Sequence, residues 1–170
     1  MTPTALTNPA TFGATAVRPA TGADAAALHA LSHPFMRTGE LRTRTPADYR
    51  AAAGQFLLAS GPDGPDGCIA LRPLAPEAGH PAAGALYNFC VRPGRQGTGL
   101  GSQLLQALLA TAARQGLRTI CAATTGNGRL FTHFGFVQVP TARAPQGWAA
   151  GLDPARGSKV YLRSVPESFA

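Results

Sequence analysis

One glycine-rich segment limits the folds open to this chain more than any other feature. Residues 91–105 read V-R-P-G-R-Q-G-T-G-L-G-S-Q-L-L, with glycine at positions 94, 97, 99 and 101. The apolar run before it, GALYNFCV (84–91), predicts a mostly buried strand. The apolar residues after it recur at helical spacing up to Gly116 and predict an amphipathic helix. The segment is therefore expected to turn the chain from the end of a strand into the start of a helix.

Such a corner is suited to binding an anion. Glycine lets the backbone approach a ligand closely, and the first helical turn offers unpaired N–H groups at the positive end of the helix dipole. We expect these groups to surround a pyrophosphate, with Arg92 and Arg95 adding positive charge; a glycine-rich turn without a ligand is the alternative. A Walker A loop is excluded because the segment lacks lysine, and a dinucleotide fingerprint because no acidic residue occurs from Ser102 through Gly135.

The remaining pattern predicts an α+β fold, a central mixed sheet of about seven strands flanked by about four helices. Thr21 with Asp24 makes a capping box before one helix, and Thr45 with Pro46 opens a second. Residues 61–67 are so rich in turn formers that we expect a hairpin with a mobile tip there, between the strands predicted at 55–60 and 67–74. The other strands are predicted at 14–20, 55–60, 67–74, 118–124, 136–139 and 158–165, with a short helix within 127–134.

Length and charge narrow the organisation and the partners. With 170 residues, 45% of them apolar, we expect a loose leader over 1–13 and a single domain over 14–170. The net charge is +7, and of fifteen basic residues only Lys159 is not arginine, the side chain best shaped to grip carboxylate or phosphate. The arginines are scattered along the chain, so nucleic acid is not an expected partner. No apolar run is long enough to span a membrane, and a cytoplasmic protein is expected.

The cysteines and histidines do not predict a metal site. The three cysteines stand in apolar runs without CxxC spacing and are interpreted as reduced core thiols, namely Cys68, Cys90 and Cys121. His29 and His33 have the i,i+4 spacing of a helical pair, but Pro34 is expected to end the helix there. We therefore expect neither a disulfide nor a bound metal.

Two motifs resemble the signature of the GNAT superfamily of N-acetyltransferases. Gln96-x-x-Gly99-x-Gly101 is similar to its first block, and NGRLFTHFGF (127–136) is similar to its later one. The resemblance implies transfer of acetyl from acetyl-CoA to an amine, with strand 84–91 splayed from strand 118–124. Phe89 and Asn88 would be catalytic, Phe89 through a backbone N–H that stabilises the oxyanion. The residues implied in binding acetyl-CoA are Phe89, Cys90, Val91, Gln96, Gly97, Thr98, Gly99, Leu100, Gly101, Ser102, Asn127 and Phe131.

Residues 17–165 also resemble the acetyltransferase domain of bacterial N-acetylglutamate synthases. The similarity includes RTGELRTRT (37–45) and RGSKV (156–160). It implies that the acceptor is a small-molecule amine, most of all the α-amine of glutamate, with a place in arginine biosynthesis. Residues implied in holding that substrate are Arg44, Arg156 and Ser158, with Arg42 in reserve for Arg44. Two guanidinium groups suit an amino acid that carries two carboxylates.

The chain departs from these families at three positions. The synthases have glutamate, the proposed base, at the position of Ala85 and cysteine at that of Asn88, and many superfamily members have tyrosine at that of Phe131. The proton route would then run through a water chain on Asn88 or on backbone carbonyls, with Glu40 as a substitute base. These departures keep two alternatives open, another amine or a protein N-terminus as acceptor, and an acyl-CoA-binding module without catalysis. The oligomeric state is also open, with a homodimer among the options.

Overall fold

The structure is a computed structural model that describes residues 16–167. The predicted leader (1–13) and the start of the first predicted strand lie outside the described residues. Within the described part, a seven-stranded sheet is flanked by five α-helices and several short 3-10 turns. The strands are β1 (Val17–Pro19), β2 (Phe56–Gly61), β3 (Gly64–Pro73), β4 (Ala83–Val91), β5 (Thr119–Thr124), β6 (Val137–Val139) and β7 (Lys159–Ser164). The helices are α1 (Ala25–Arg37), α2 (Pro46–Ala51), α3 (Leu100–Arg114), α4 (Arg129–His133) and α5 (Gln146–Ala150).

The sheet is mixed and has one parallel pair at its centre. Its strand order is β1-β2-β3-β4-β5-β7-β6, and every neighbouring pair is antiparallel except β4 with β5. That parallel pair is short, because only residues 83–85 of β4 are in register with residues 119–121 of β5. The predicted α+β class and mixed sheet are confirmed, and the sheet is divided at its middle into two antiparallel halves.

Each face of the sheet is covered by its own apolar cluster. On one face, α3 buries a stripe in which Leu104, Leu105 and Leu108 recur at helical spacing against β3 and β5. On the other face, α1 and α2 pack Leu28 and Tyr49 against β2 and β3. The alternating side chains of the central strands supply both clusters, so the sheet forms the middle layer of the domain.

The first predicted helix is longer than the sequence indicated. We expected Pro34 to end it, but α1 continues through Pro34 to Arg37. A proline in the last turn removes only the one hydrogen bond that its own nitrogen would make, and the Pro34 carbonyl still accepts from the backbone N–H of Thr38 at 3.3 Å. His29 and His33 therefore do share a helical face, with ring centroids 5.7 Å apart.

The hairpin expected around residues 61–67 is confirmed, but its turn is tighter than the predicted loop. Gly61 pairs directly with Gly64, and β3 already includes Pro65 and Asp66. Asp66 is buried, and its carboxylate lies 3.5 Å from Nε of Arg92 and 3.3 Å from Nε of Arg95. These ion pairs connect the hairpin to the loop that follows β4. A backbone hydrogen bond joins the same two segments, since the Arg92 N–H donates to the Asp66 carbonyl at 2.7 Å. Sequence reasoning gave no weight to this long-range pairing.

The three cysteines are buried in the core. Cys68, Cys90 and Cys121 are free and buried, as interpreted from their apolar surroundings. Among residues 16–167, no group of three or more His, Cys, Asp or Glu side chains is arranged to hold a metal ion. No helix in that same range combines the length and the apolar character needed to cross a bilayer.

We predict that Asp66→Asn lowers the free energy of unfolding by about 1 kcal/mol, since two partly exposed arginines lose a buried anionic partner. Urea unfolding of the purified protein measures this change. Asp63→Asn, which removes the same charge from the exposed turn of the same hairpin, is the matched control and should stay within about 0.5 kcal/mol of wild type. Equal stability of both variants would contradict the structural role of Asp66.

Candidate active site

A cavity of about 910 Å³ opens where β4 and β5 stop pairing. It is lined by the loop between α1 and α2, by residues of β4, by the segment after β5, and by residues 147–158. A volume of this size is at the upper end for small-molecule sites. Of the residues predicted from sequence, the cavity brings together Arg44, Asn88, Phe89, Asn127, Phe131, Arg156 and Ser158. Lining residues that sequence reasoning missed include Tyr49, Arg72, Tyr87 and Trp148.

A β-bulge in β4 marks the point where the cavity begins. Cys68 pairs with Cys90 and Ala70 with Tyr87, so two residues of β4 stand opposite one residue of β3. The extra residue is Asn88, whose φ of 47° is the one positive value among non-glycine residues of the described chain. Asparagine tolerates this left-handed conformation better than most side chains. The bulge changes the direction of β4 just after its pairing with β5 has ended.

The Asn88 side chain is buried and hydrogen-bonded on both ends. Its Oδ1 accepts from the Tyr49 hydroxyl at 2.8 Å and from Arg44 at 3.4 Å, and its Nδ2 donates to Ser32 Oγ at 2.9 Å. The Cys68 thiol donates to the Asn88 carbonyl at 3.4 Å. This network ties the bulge to α1, α2 and β3 and accounts for the buried amide. The predicted catalytic role of Asn88 stays a prediction.

Arg44 lines the part of the cavity between the α1–α2 loop and residues 147–158, which we call the acceptor side because the predicted substrate-binding residues lie there. Its guanidinium carbon is 5.0 Å from the centroid of the Tyr87 ring, a cation–π distance. The Tyr87 hydroxyl donates to Oε1 of Gln55. Burial raises the pKa of Tyr87, and nearby positive charges including Arg44 oppose that rise. The phenol is therefore neutral at physiological pH and serves as a flat, polar-edged support for the guanidinium group.

Two other predicted arginines bind backbone carbonyls across the cavity mouth. Arg42 donates to the Gly151 carbonyl at 2.7 Å, and Arg156 donates to the carbonyls of Gly39 at 2.8 Å and Glu40 at 3.1 Å. The α1–α2 loop supplies the donor in the first contact and the acceptors in the other two, and residues 151–158 supply the opposite partners. They hold these two segments together, and they engage the Arg156 guanidinium with the protein itself.

The wall that carries Trp148 is fixed by a carboxylate from another loop. Glu77 accepts from the backbone N–H groups of Gln146 at 2.8 Å and Gly147 at 3.2 Å, at the start of α5. These backbone donors lower the pKa of Glu77, so the carboxylate is ionised at neutral pH. The contact positions α5 and its tryptophan beside the cavity.

The opposite end of the cavity is bounded by aromatic rings and a tight turn. The Phe131 ring lies 6.2 Å from that of Phe89 and 5.2 Å from that of Phe136. Asn127 Oδ1 accepts from the backbone N–H of Arg129 at 3.0 Å, which shapes the turn into α4. Phe89, Phe131 and Asn127, all predicted to contact one ligand, therefore lie along one wall.

The predicted anion-binding corner lies beyond this wall, at the start of α3. Gly97 and Gly99 adopt φ values of 75° and 86°, and Gly99 is the residue that precedes the helix. Within residues 16–167, the backbone N–H groups of residues 97–102 have no hydrogen-bond acceptor. Gln96 donates instead to the Val91 carbonyl at 3.1 Å, which folds the loop back on the strand end. The expectation of exposed, unpaired amides is met by the geometry.

Arg92 and Arg95, which were expected to add positive charge to this corner, already have a carboxylate partner. Both guanidinium groups are in ion pairs with the Asp66 carboxylate, which offsets much of their charge. The helix N-terminus, with Thr98 and Ser102 beside it, adds the positive end of its dipole to the one net positive charge that this pairing leaves.

An open mixed sheet whose central parallel pair separates beside a glycine-rich strand-to-helix corner is the GNAT fold. Residues 52–138 match the family described as Acetyltransferase (GNAT) domain, and the chain therefore belongs to this family. That match includes β4, the glycine-rich loop and α4, the elements that form the cofactor side of the cavity.

Individual relatives and solved structures match a longer part of the chain than the family model does. The amino-acid acetyltransferase of Azotobacter vinelandii is 30% identical over 149 residues, which are 88% of this chain and 34% of that protein. N-acetylglutamate synthase from Neisseria gonorrhoeae, complexed with coenzyme A and N-acetyl-glutamate, superposes with a TM-score of 0.80 at 23% identity, over 89% of this chain and 35% of its own. A Mycobacterium tuberculosis protein in complex with CoA has a TM-score of 0.71 at 21% identity, covering 89% and 99%. The chain spans about a third of the length of the curated relatives it matches.

We predict that Asn88→Gly lowers the free energy of unfolding by about 2 kcal/mol, because Tyr49 and Ser32 lose a buried partner. Asn88→Ala should cost about 1 kcal/mol more, since alanine also bears the strain of the left-handed backbone. Urea unfolding monitored by circular dichroism measures both. If alanine were as stable as glycine at this position, the bulge geometry would not be under the constraint described here.

Proposed function

We propose that this domain transfers acetyl from acetyl-CoA to the α-amine of an amino acid, glutamate first, by direct attack in a ternary complex. The observation that carries the proposal is that one and the same cavity is lined by the open edge of β4 and by the arginines of its acceptor side. A thioester on one side and an amine on the other would then react without leaving a common chamber.

The cofactor side has the chemistry that a diphosphate requires. Several backbone N–H groups at the start of α3 lack protein acceptors within the described residues, and they lie at the positive end of a 15-residue helix. The unpaired edge of β4 from Leu86 onward leaves backbone groups that an extended, amide-bearing pantetheine chain would pair with. The rings of Phe89 and Phe131 give this path an apolar wall.

The reaction balances without a covalent enzyme intermediate. The neutral amine attacks the thioester carbonyl, a C–N bond forms, and the oxyanion is stabilised by a backbone N–H of the β4 edge, for which Phe89 is the candidate. Collapse breaks the C–S bond, and the amine proton leaves while the coenzyme A thiolate gains one. Two of the three thiols are poor nucleophiles: burial raises the pKa of Cys121 to about 11, and the Cys68 sulfur together with burial raises that of Cys90. Contact with the Cys90 sulfur lowers the pKa of Cys68, but Cys68 is buried and does not line the cavity.

The proton route uses groups other than a carboxylate at position 85. Ala85 lies on the floor of the cavity, and Glu40 lines its rim, where its carboxylate accepts from the Thr38 hydroxyl at 3.2 Å. Arg156 fixes the backbone of Glu40 through the carbonyl contact described above. Glu40 acting through solvent is the candidate acceptor of the amine proton.

The acceptor side favours a carboxylate-bearing amine. Arg44 is partly buried and its one side-chain hydrogen bond within the described residues, to Asn88, is long at 3.4 Å, so its donors are available for a substrate carboxylate. Ser158 lines the same chamber. Arg156 contributes through the loop that it holds, and direct contact with substrate stays a prediction for it. The relatives named amino-acid acetyltransferase and the N-acetylglutamate synthase fold support the same class of acceptor.

A thiol-release assay tests this proposal. Purified protein with acetyl-CoA should release free coenzyme A in the presence of glutamate at a rate well above that without an acceptor. The comparison set contains other amino acids, a polyamine and an aminoglycoside antibiotic. Release that depends on the polyamine or the antibiotic, with amino acids at background, would refute the acceptor assignment and keep the acetyltransferase. Tight coenzyme A binding with no release on any amine would instead favour a binding module.

We predict that Gly99→Ala raises the dissociation constant for coenzyme A severalfold and lowers the free energy of unfolding by about 1 kcal/mol. Alanine meets no atom within 4 Å there, so the whole effect comes from its unfavourable φ at the helix start. Gly94→Ala is the matched control, because Gly94 has no positive φ and equally open surroundings. Calorimetric titration with coenzyme A and urea unfolding measure the two effects; identical behaviour of both variants would exclude the left-handed corner as a binding element.

A further inference from the structure

The cavity has more positive charge than its own acidic residues neutralise. Its lining contains five arginines and three acidic residues, and within residues 16–167 none of these arginines forms a salt bridge. The acidic side chains accept from protein donors instead: Glu40 from Thr38, Asp48 from the Thr45 N–H at 2.8 Å, and Asp153 from the Ala155 N–H at 2.9 Å. The arginines in the lining are Arg42, Arg44, Arg72, Arg129 and Arg156.

These arginines differ in what their guanidinium groups already bind. Arg42 and Arg156 donate to backbone carbonyls across the mouth of the cavity. Arg44 has one long hydrogen bond and the Tyr87 ring. Arg72 has no hydrogen bond, ion pair or ring contact within the described part of the chain. Its charge is therefore available to a molecule in the cavity.

The strand register directs Arg72 toward the acceptor side. Arg72 stands opposite Ala85 and two residues from Ala70, which is opposite Tyr87, so all four side chains share one face of the sheet. Ala85, with its small side chain, lines the cavity on that face, as do Arg72 and Tyr87. The positive charges of Arg44 and Arg72 both act on the Tyr87 hydroxyl. Arg72 on β3 therefore shares the face of Tyr87, whose ring Arg44 contacts from the α1–α2 loop.

We propose that Arg72 is a specificity-determining residue that selects acceptors with a second carboxylate, which it binds while Arg44 binds the first. The inference rests on the proposed function and assigns the second cation to β3 rather than to residues 156–160. Arg129 is the less suitable candidate, because it lies at the start of α4 beside Asn127, on the cofactor side. The Ala85 methyl leaves the room that the second carboxylate would occupy.

The test compares glutamate with glutamine, which has the same shape without the second charge. Dissociation constants for both are measured by calorimetry on coenzyme-A-saturated wild type and on Arg72→Gln. Wild type should bind glutamate at least about tenfold more tightly than glutamine, the range expected for a charge-assisted hydrogen bond. In Arg72→Gln the ratio should fall to within about twofold, through weaker binding of glutamate with glutamine unchanged. Arg72→Lys should recover part of the ratio, because it keeps the charge without the fork.

Arg50→Gln is the matched control, since Arg50 is an exposed arginine of α2 outside the cavity lining. It should keep the wild-type ratio, and all variants should keep the wild-type Tm. A wild-type ratio near one, or a ratio that survives in Arg72→Gln, would overturn the role of Arg72 while the glutamate-dependent thiol release still stood. No thiol release by wild type with any amino acid would overturn the proposed function and this inference together.

Discussion

The hydrogen bonds around Asn88 are the constraint on which the site depends. They hold one residue of β4 in a left-handed conformation, buried between α1, α2 and β3, and so fix a bulge at the middle of the sheet. The last residue of β4 that pairs with β5 is Ala85, three residues before the bulge, and the bulge then redirects β4 along the edge that β5 has left open. The separation creates the chamber, and the glycine-rich corner lies at its far end. An asparagine that serves this geometry need not take part in proton transfer.

Arginine has three different structural roles in this molecule, although its side chain is always the same. Arg92 and Arg95 are held by a buried carboxylate and brace a hairpin against a loop. Arg42 and Arg156 bind main-chain oxygens and join two segments at the rim. Arg44 and Arg72 keep donors available inside the chamber. The positive charges that keep free hydrogen-bond donors, those of Arg44 and Arg72, therefore lie where an anionic acceptor would bind.

Local signals in the sequence predicted most of the fold. Apolar periodicity found every strand and α3, Thr45 and Pro46 marked the start of α2, and the spacing from Gln96 to Gly101 marked the strand-to-helix corner. Two features escaped because they depend on distant contacts: the pairing of Asp66 in the hairpin with two arginines of the loop after β4, and the place of Arg72 opposite Ala85. The extension of α1 past Pro34 escaped for a local reason, since a proline in the last turn need not end a helix. Strand alternation could have indicated that Arg72 and Tyr87 share a face, but only once the register was known.

The two antiparallel halves of the sheet are joined through only three residue pairs of β4 and β5. Beyond them the ladder is interrupted, and α3 and the rim contacts span the opening from outside. A chain-like ligand that lay in this gap and paired with the free edge of β4 would act as a surrogate strand. Such a ligand would extend the hydrogen-bonded ladder across the gap between β4 and β5. The two halves of the sheet would then be joined along more of their length, and would be stiffer, only while the ligand is bound.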